Sequence, residues 1–317
     1  VDTLNLNLRA ARVARELADQ APVLGASLLR VGEAAIIDVG VTQTGSLAAG
    51  VMMARIAMAD LADLQWSTMN VGKLTLPALI VNVHQPVASC MASQYAGWQI
   101  SIDKFFAMGS GPMRAAYGRE ALFDDIGLRE EAPDSVIGVL ETSRVPNLNV
   151  ITYLAEKCRV NPAQIILVIA RTASLAGGVQ IVARSVETAM HKLHTLGFDL
   201  SRVVGGFGAA PLPPVSKDDL SAIGRTNDAV LYGSSVTLHV RGDDESLAQI
   251  VAKLPSSASR DYGRPFGEIF AGYDHDFYKI DPLLFSPAAI CLQNIDTGRS
   301  HHAGQVNETL LEQSFLS

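Results

Sequence analysis

Residues 164–196, QIILVIARTASLAGGVQIVARSVETAMHKLHTL, join the two kinds of element from which the chain is built. Residues 164–170 are of strand length and continuously apolar after Gln164, the pattern of a strand buried on both faces. From about Leu175 to Leu196 the apolar residues shift to a helical period, and Gly197 ends the run. Outward from this pair, residues 4–18, 46–61, 87–97, 147–158, 243–253 and 307–315 carry helical spacing. Residues 74–83, 99–108, 134–141 and 230–240 read as strands. Residues 23–39 read as a hairpin turning at Gly32-Glu33, and 286–304 as one turning at Asp296-Thr297-Gly298. Residues 203–215 hold a Gly-rich run and then Pro211, Pro213 and Pro214, which predicts an irregular path. Hairpins mixed with crossovers imply an α+β fold, two mixed α/β-layer domains rather than one doubly wound sheet. The acidic stretch 129–134 offers the easiest boundary, giving an N-terminal domain 1–130 and a C-terminal domain 131–317 between which segments can exchange.

A chain of 317 residues, 48% hydrophobic and 18% charged, is long enough for two cores and is neither disordered nor a coiled coil. Its formal net charge of −7, with no long basic run, argues against a nucleic-acid binder or a binder of anionic membranes. Three cysteines far apart in sequence, Cys90, Cys158 and Cys291, fit a reducing compartment better than a disulfide framework. The first seventeen residues have helical spacing and lack the apolar core of a signal peptide. No stretch reaches the roughly 20 apolar residues of a membrane span. A soluble, cytoplasmic protein is expected.

Three segments carry candidate chemistry. In Phe106-Ala107-Met108-Gly109-Ser110-Gly111-Pro112 a strand hands over to a helix, with Ser110 placed to cap it and Pro112 suited to its first turn. Free amides at such a start attract anions or carbonyl oxygens; a tight capped turn explains the same residues. Gly205-Gly206-Phe207-Gly208-Ala209-Ala210 mimics a dinucleotide fingerprint, but the prolines that follow forbid the helix that motif must open. The third segment is the 171–191 stretch. At 100° per residue Val179, Val182, Val186, Met190 and Leu193 share an apolar arc, while Gly177, Gln180, Arg184, Glu187 and His191 form a polar stripe opposite. Arg184 and Glu187, three apart, are neighbours that can pair. By spacing alone that is an ordinary ion pair on a solvated face, worth under about 1 kcal/mol. The glycine pair at the helix start, and the position just past a buried strand, lean the other way, toward a cleft, and leave both readings open.

Polar clusters at 224–228, 261–266 and 276–282 read as loops. No HExxH, Walker loop, GxSxG or metal-ligand spacing occurs, and His301-His302 reads as an exposed hairpin pair.

Taken in order, FFAMGSGPMRA (105–115), RTASLAGGVQIVARSVETAMHKL (171–193), GRTNDAVLYG (224–233), LPSSASRDYGRPFGEIF (254–270) and DFYKIDPLLFSPA (276–288) resemble the methenyltetrahydromethanopterin cyclohydrolase family. The N-terminal third agrees more loosely, through Asp38-Val39-Gly40 and the Ala/Gly-rich helix after it. The resemblance implies a cytoplasmic homotrimer of two α+β domains with a pocket between them. It implies an enzyme of one-carbon metabolism, suited to a methylotroph, that interconverts 5,10-methenyltetrahydromethanopterin plus water with the 5-formyl form. It implies no metal and no redox cofactor, the pterin being itself the substrate, and neither a nucleic-acid nor a membrane partner. The family's catalytic pair maps onto Arg184 and Glu187: Glu187 as general base and then acid, Arg184 orienting it. Backbone amides of Gly109, Ser110 and Gly111, the side chains of Thr226 and Asn227, and a stacking Tyr278 are the expected substrate contacts. The rival reading is a pterin- or folate-binding protein on the same scaffold that does not catalyse this reaction.

Overall fold

The computed structural model describes residues 4–316. Residues 1–3, where the helical spacing begins, and residue 317, the end of the expected C-terminal domain, lie outside the described residues. The described residues hold two six-stranded sheets flanked by helices, an α+β fold. The chain divides into two compact units, one of residues up to Ala62 plus Ala88–Gln180, the other of Asp63–Val87 plus the residues from Ile181 onward. Residue 130 falls inside the first unit, because the strand after it pairs back into the sheet that the N-terminal hairpin begins.

The first unit opens with α1 (Leu6–Asp19), the hairpin β1 (Ser27–Val31) and β2 (Ala34–Gly40), and α2 (Leu47–Ala57), capped by the Ser46 hydroxyl accepting from the Ala49 amide at 3.1 Å. The chain then leaves through β3 (Ala62–Val71) and β4 (Leu74–Val83), which belong to the second sheet. It returns by a π-helical turn, Val87–Gln94, where a regular α-helix was expected. Next come β5 (Trp98–Ile102), β6 (Phe105–Ser110), α3 (Met113–Tyr117), α4 (Leu122–Ile126), β7 (Val136–Glu141), α5 (Leu148–Cys158), β8 (Ile165–Ala170) and α6 (Leu175–Val182). The single strand expected over 99–108 is a hairpin instead, reversed at Asp103, whose φ is 53°.

The sheet order is β1-β2-β8-β7-β6-β5, with β2, β8 and β7 parallel. Central β8 alternates its side chains between two cores. Ile165, Leu167 and Ile169 meet residues of α5, and Val168 and Ala170 meet α1 and α2. The parallel strands therefore end together, at Gly40, Ala170 and Glu141, on one edge of the sheet.

The second unit adds α7 (Ser185–Thr195), β9 (Val203–Pro211), α8 (Asp219–Leu231), β10 (Ser235–Val240), α9 (Asp244–Val251), α10 (Phe266–Gly272), β11 (Ala289–Asn294), β12 (Ser300–Gly304) and α11 (Glu308–Leu316). Its sheet order is β12-β11-β10-β9-β4-β3, and α7 lies across β4, β9 and β10. The Gly-rich segment expected to be irregular is regular strand as far as Pro211, between β10 and β4. Only that first proline lies in the strand, at its last position, so the strand loses a backbone donor only at its end. Residues 224–228, read as a loop, lie inside α8, and the strand read from residue 230 begins at Ser235. No helix among the described residues is long and apolar enough to cross a membrane.

Candidate active site

The long helix expected from 175 to 196 is two helices. Ser174 starts α6: its hydroxyl donates to the Arg171 carbonyl at 2.7 Å and accepts the Gly177 amide at 3.0 Å. Gly177 has no substitute there, since a Cβ would stand 1.9 Å from the Arg171 carbonyl oxygen. At Arg184 (φ −87°, ψ 7°) the chain leaves helical geometry, the Arg184 amide donating back to Ile181 at 2.9 Å, and α7 begins afresh. Arg184 is the N-cap residue of α7 and Glu187 stands in its first turn, where the helix dipole favours negative charge.

The polar stripe is not solvated. Gln180 is 1% exposed, Arg184 9% and Glu187 4%. The Arg184 Nη1 and Glu187 Oε2 atoms are 3.7 Å apart, an ion pair longer than a hydrogen bond. The helix that carries them sits close against β9. A Cβ on Gly206 would lie 2.6 Å from Val186 Cγ1, and one on Gly208 2.4 Å from Ser185 Oγ. The glycines that resemble a nucleotide motif thus let the first turn of α7, with its arginine and glutamate, settle onto bare sheet. Five residues on, fully buried Lys192 donates to the Leu283 carbonyl. Burial lowers its pKa to about 8, against the pull of Asp281.

A second polar group sits at the carboxyl edge of the parallel strands in the first unit, where open sheets commonly bind ligands. Half-buried Glu141 ends β7; Thr172 Oγ1 donates to its Oε1, and Gln180 Nε2 to its Oε2 at 3.3 Å. Asp38, fully buried on β2, accepts the Gly40, Val41 and Thr42 amides at 2.7–3.0 Å and shapes the neighbouring loop.

A family model described as cyclohydrolase (MCH) matches residues 5–315. The chain belongs to this family. The methenyltetrahydromethanopterin cyclohydrolase of Methylobacillus flagellatus is 47% identical over 282 residues, 89% of this chain and 86% of that one. The enzyme of that name from Rhodopirellula baltica is 44% identical over 291 residues, 90% of this chain and 87% of its own. That of Methanosarcina barkeri is 38% identical over 316 residues, 98% of both chains.

Elsewhere in this cyclohydrolase-family chain, several of the residues expected to contact substrate also make bonds within the fold. Gly109 and Ser110 are buried in β6, paired to β7 through Leu140 and Val139. The Gly111 amide donates to the Ser93 carbonyl at 2.8 Å, and Pro112, not Ser110, is the N-cap residue of the short α3. Thr226 Oγ1 donates to the Ala222 carbonyl at 2.7 Å and Asn227 Nδ2 to the Ile223 carbonyl at 2.9 Å, both within α8. Tyr278 is 75% exposed on a single 3₁₀ turn. Asp228 receives the Phe266 amide at 2.7 Å at the start of α10, and burial pushes its carboxyl up to about 7. Glu141, absent from the expected site, carries one signal in the sequence: an acid closing an otherwise apolar strand.

Proposed function

We infer that this chain is a methenyltetrahydromethanopterin cyclohydrolase, a hydrolase acting on a cyclic amidine C–N bond. The match of the family model across residues 5–315 carries that reading. The reaction joins 5,10-methenyltetrahydromethanopterin and water to give the 5-formyl form and a proton. The methenyl carbon lies in a cationic amidinium and is already electrophilic, so the protein's task is to deprotonate water and to protonate the departing nitrogen. Glu187 serves both steps in sequence, as base while the C–O bond forms and as acid while the C–N bond breaks. Arg184 orients that carboxylate and offsets oxygen charge as it develops, its own charge balanced by the glutamate beside a cationic substrate. The burial of both side chains, at 9% and 4% exposure, supports these roles over a surface ion pair. The reading extends to a cytoplasmic homotrimer that needs no metal or redox cofactor.

Following the loss of the methenyl chromophore tests it. Wild type turns over the pterin, Glu187→Gln loses about 10²–10⁴-fold in kcat with an unchanged melting temperature, and Arg184→Ala is also impaired. Full activity in Glu187→Gln would overturn the mechanism. Inactivity toward the pterin, with rapid turnover of methenyltetrahydrofolate, would overturn the substrate.

A further inference from the structure

Glu141 is a carboxylate whose partners are all neutral. Thr172 supplies one donor to Oε1 and Gln180 one to Oε2, and the Glu141 side chain forms no ion pair among the described residues. Thr172 and Gln180 are themselves 6% and 1% exposed, so the carboxylate plane is set from its buried side while Glu141 itself stays partly open. An ionised carboxylate has about four lone-pair positions, so about one per oxygen remains for a ligand's donors. The backbone that carries it is held in the sheet. Glu141 is in register with Ala170 on β8 and Met108 on β6, and the Thr142 amide donates to the Ala170 carbonyl at 2.9 Å. A half-buried negative charge with no cation of its own is costly unless a ligand supplies donors or positive charge.

The two acceptor oxygens of a carboxylate fit two parallel N–H donors. In a 2-amino-4-oxopteridine these are the exocyclic 2-amino group and the adjacent ring N3–H, on the side of the head group away from the methenyl carbon. We propose that Glu141, held by Thr172 and Gln180, accepts these two donors and so recognises the aminopyrimidinone end of the substrate. The proposal rests on the pterin reading above and assigns Glu141 to binding, not to proton transfer.

The experiment compares wild type, Glu141→Gln and Thr172→Val in turnover of methenyltetrahydromethanopterin, and in fluorescence-monitored binding of 6-methylpterin and of 6-methyllumazine, which carries a 2-oxo in place of the 2-amino group. In Glu141→Gln, KM rises about 10–100-fold, the range of a lost charge-assisted hydrogen bond, while kcat stays within about threefold. The wild-type preference for pterin over lumazine collapses in the same variant. Thr172→Val moves KM and the preference in the same direction by a smaller factor, and carries the test alone if Glu141→Gln does not fold. An unchanged KM with the preference intact overturns the proposal, as does a fall in kcat at constant KM, which would place Glu141 at the reacting carbon. A wild type that does not turn over the pterin overturns the underlying reading instead.

Discussion

Among the described residues, the Arg114–Glu120 pair of the first unit and the Arg184–Glu187 pair of the second are both largely shielded from solvent, and they are built differently. In the first unit Arg114 grips Glu120 with two bonds, Nε to Oε1 at 2.9 Å and Nη2 to Oε2 at 2.6 Å. A third nitrogen donates to the Met91 carbonyl at 2.8 Å, and the guanidinium lies over the Tyr95 and Phe123 rings at 4.8 and 5.4 Å. In the second unit Arg184 and Glu187 approach through one pair of atoms at 3.7 Å. The closed pair fixes both carboxylate oxygens on one partner, which suits holding a loop. The longer pair sets compensating charge beside the Glu187 carboxylate at more than hydrogen-bond distance, which suits a group that must pass a proton.

Breaking each pair therefore has opposite consequences. Glu187→Gln gives the largest effect expected anywhere in the chain, the kcat loss of about 10²–10⁴ described above, with stability nearly untouched. Arg114→Met strands Glu120, which is 18% exposed at its side chain, and costs about 3 kcal/mol of stability, the low end for a broken buried pair. The activity per folded Arg114→Met molecule stays near wild type in the same chromophore assay. Chemical denaturation and turnover measured on both variants separate the two pairs. A stability loss in Glu187→Gln as large as in Arg114→Met would remove the distinction.

The same contrast explains what could be read from residues alone. The Gly32 hairpin, β4 with bounds 74–83 and the buried β8 are plain in sequence, because period and turn chemistry agree with the fold there. Residues 224–228 mislead, because Gly224 and the polar residues after it serve packing inside α8. A Cβ on Gly224 would come within 3.4 Å of the Gly267 backbone in α10, and Asp228 caps that helix. The glycines of β9 mislead likewise, since what they make room for, the first turn of α7, comes from residues about twenty positions earlier. Arg184 and Glu187 are legible as a pair, but their burial is a property of the tertiary structure. Glu141, Thr172 and Gln180 come from three elements, and no spacing rule joins them.

The support that β9 gives the looser pair is open to a smaller perturbation. Gly208→Ala places a Cβ 2.4 Å from Ser185 Oγ and 3.0 Å from Val186 Cγ2. Ser185 is fully buried at the first position of α7, so the turn carrying Glu187 must lift to make room. The expected cost is about 1–3 kcal/mol in denaturant unfolding, together with a lower kcat. Ser185→Ala in the same chain removes the closer contact and recovers part of both losses. Independent, additive effects of the two substitutions would mean that the helix does not rest on this contact.

The last effect is a pH slope rather than a fixed loss, and it belongs to the far end of α7. Lys192 is fully buried, and its pKa falls from 10.5 to about 8 in the folded protein chiefly because burial disfavours its charge. Between pH 8 and 10.5 the unfolded chain holds this proton and the folded one has released it. The unfolded state then binds more protons, so stability from this group rises with pH across that window and is flat below it. The slope is at most about 1.4 kcal/mol per pH unit. Lys192→Met removes the titration, so the stability of wild type relative to the variant should climb as pH goes from 8 to 10.5. Among the charged groups near this amine, Asp281 works against the shift by favouring the ammonium. Its carboxylate also takes Ser259 Oγ at 2.7 Å and the Leu283 amide at 3.0 Å, so Asp281→Asn loosens the segment that Lys192 pins through the Leu283 carbonyl. If the pH slope persists unchanged in Lys192→Met, the titrating group lies elsewhere and α7 is held by packing alone.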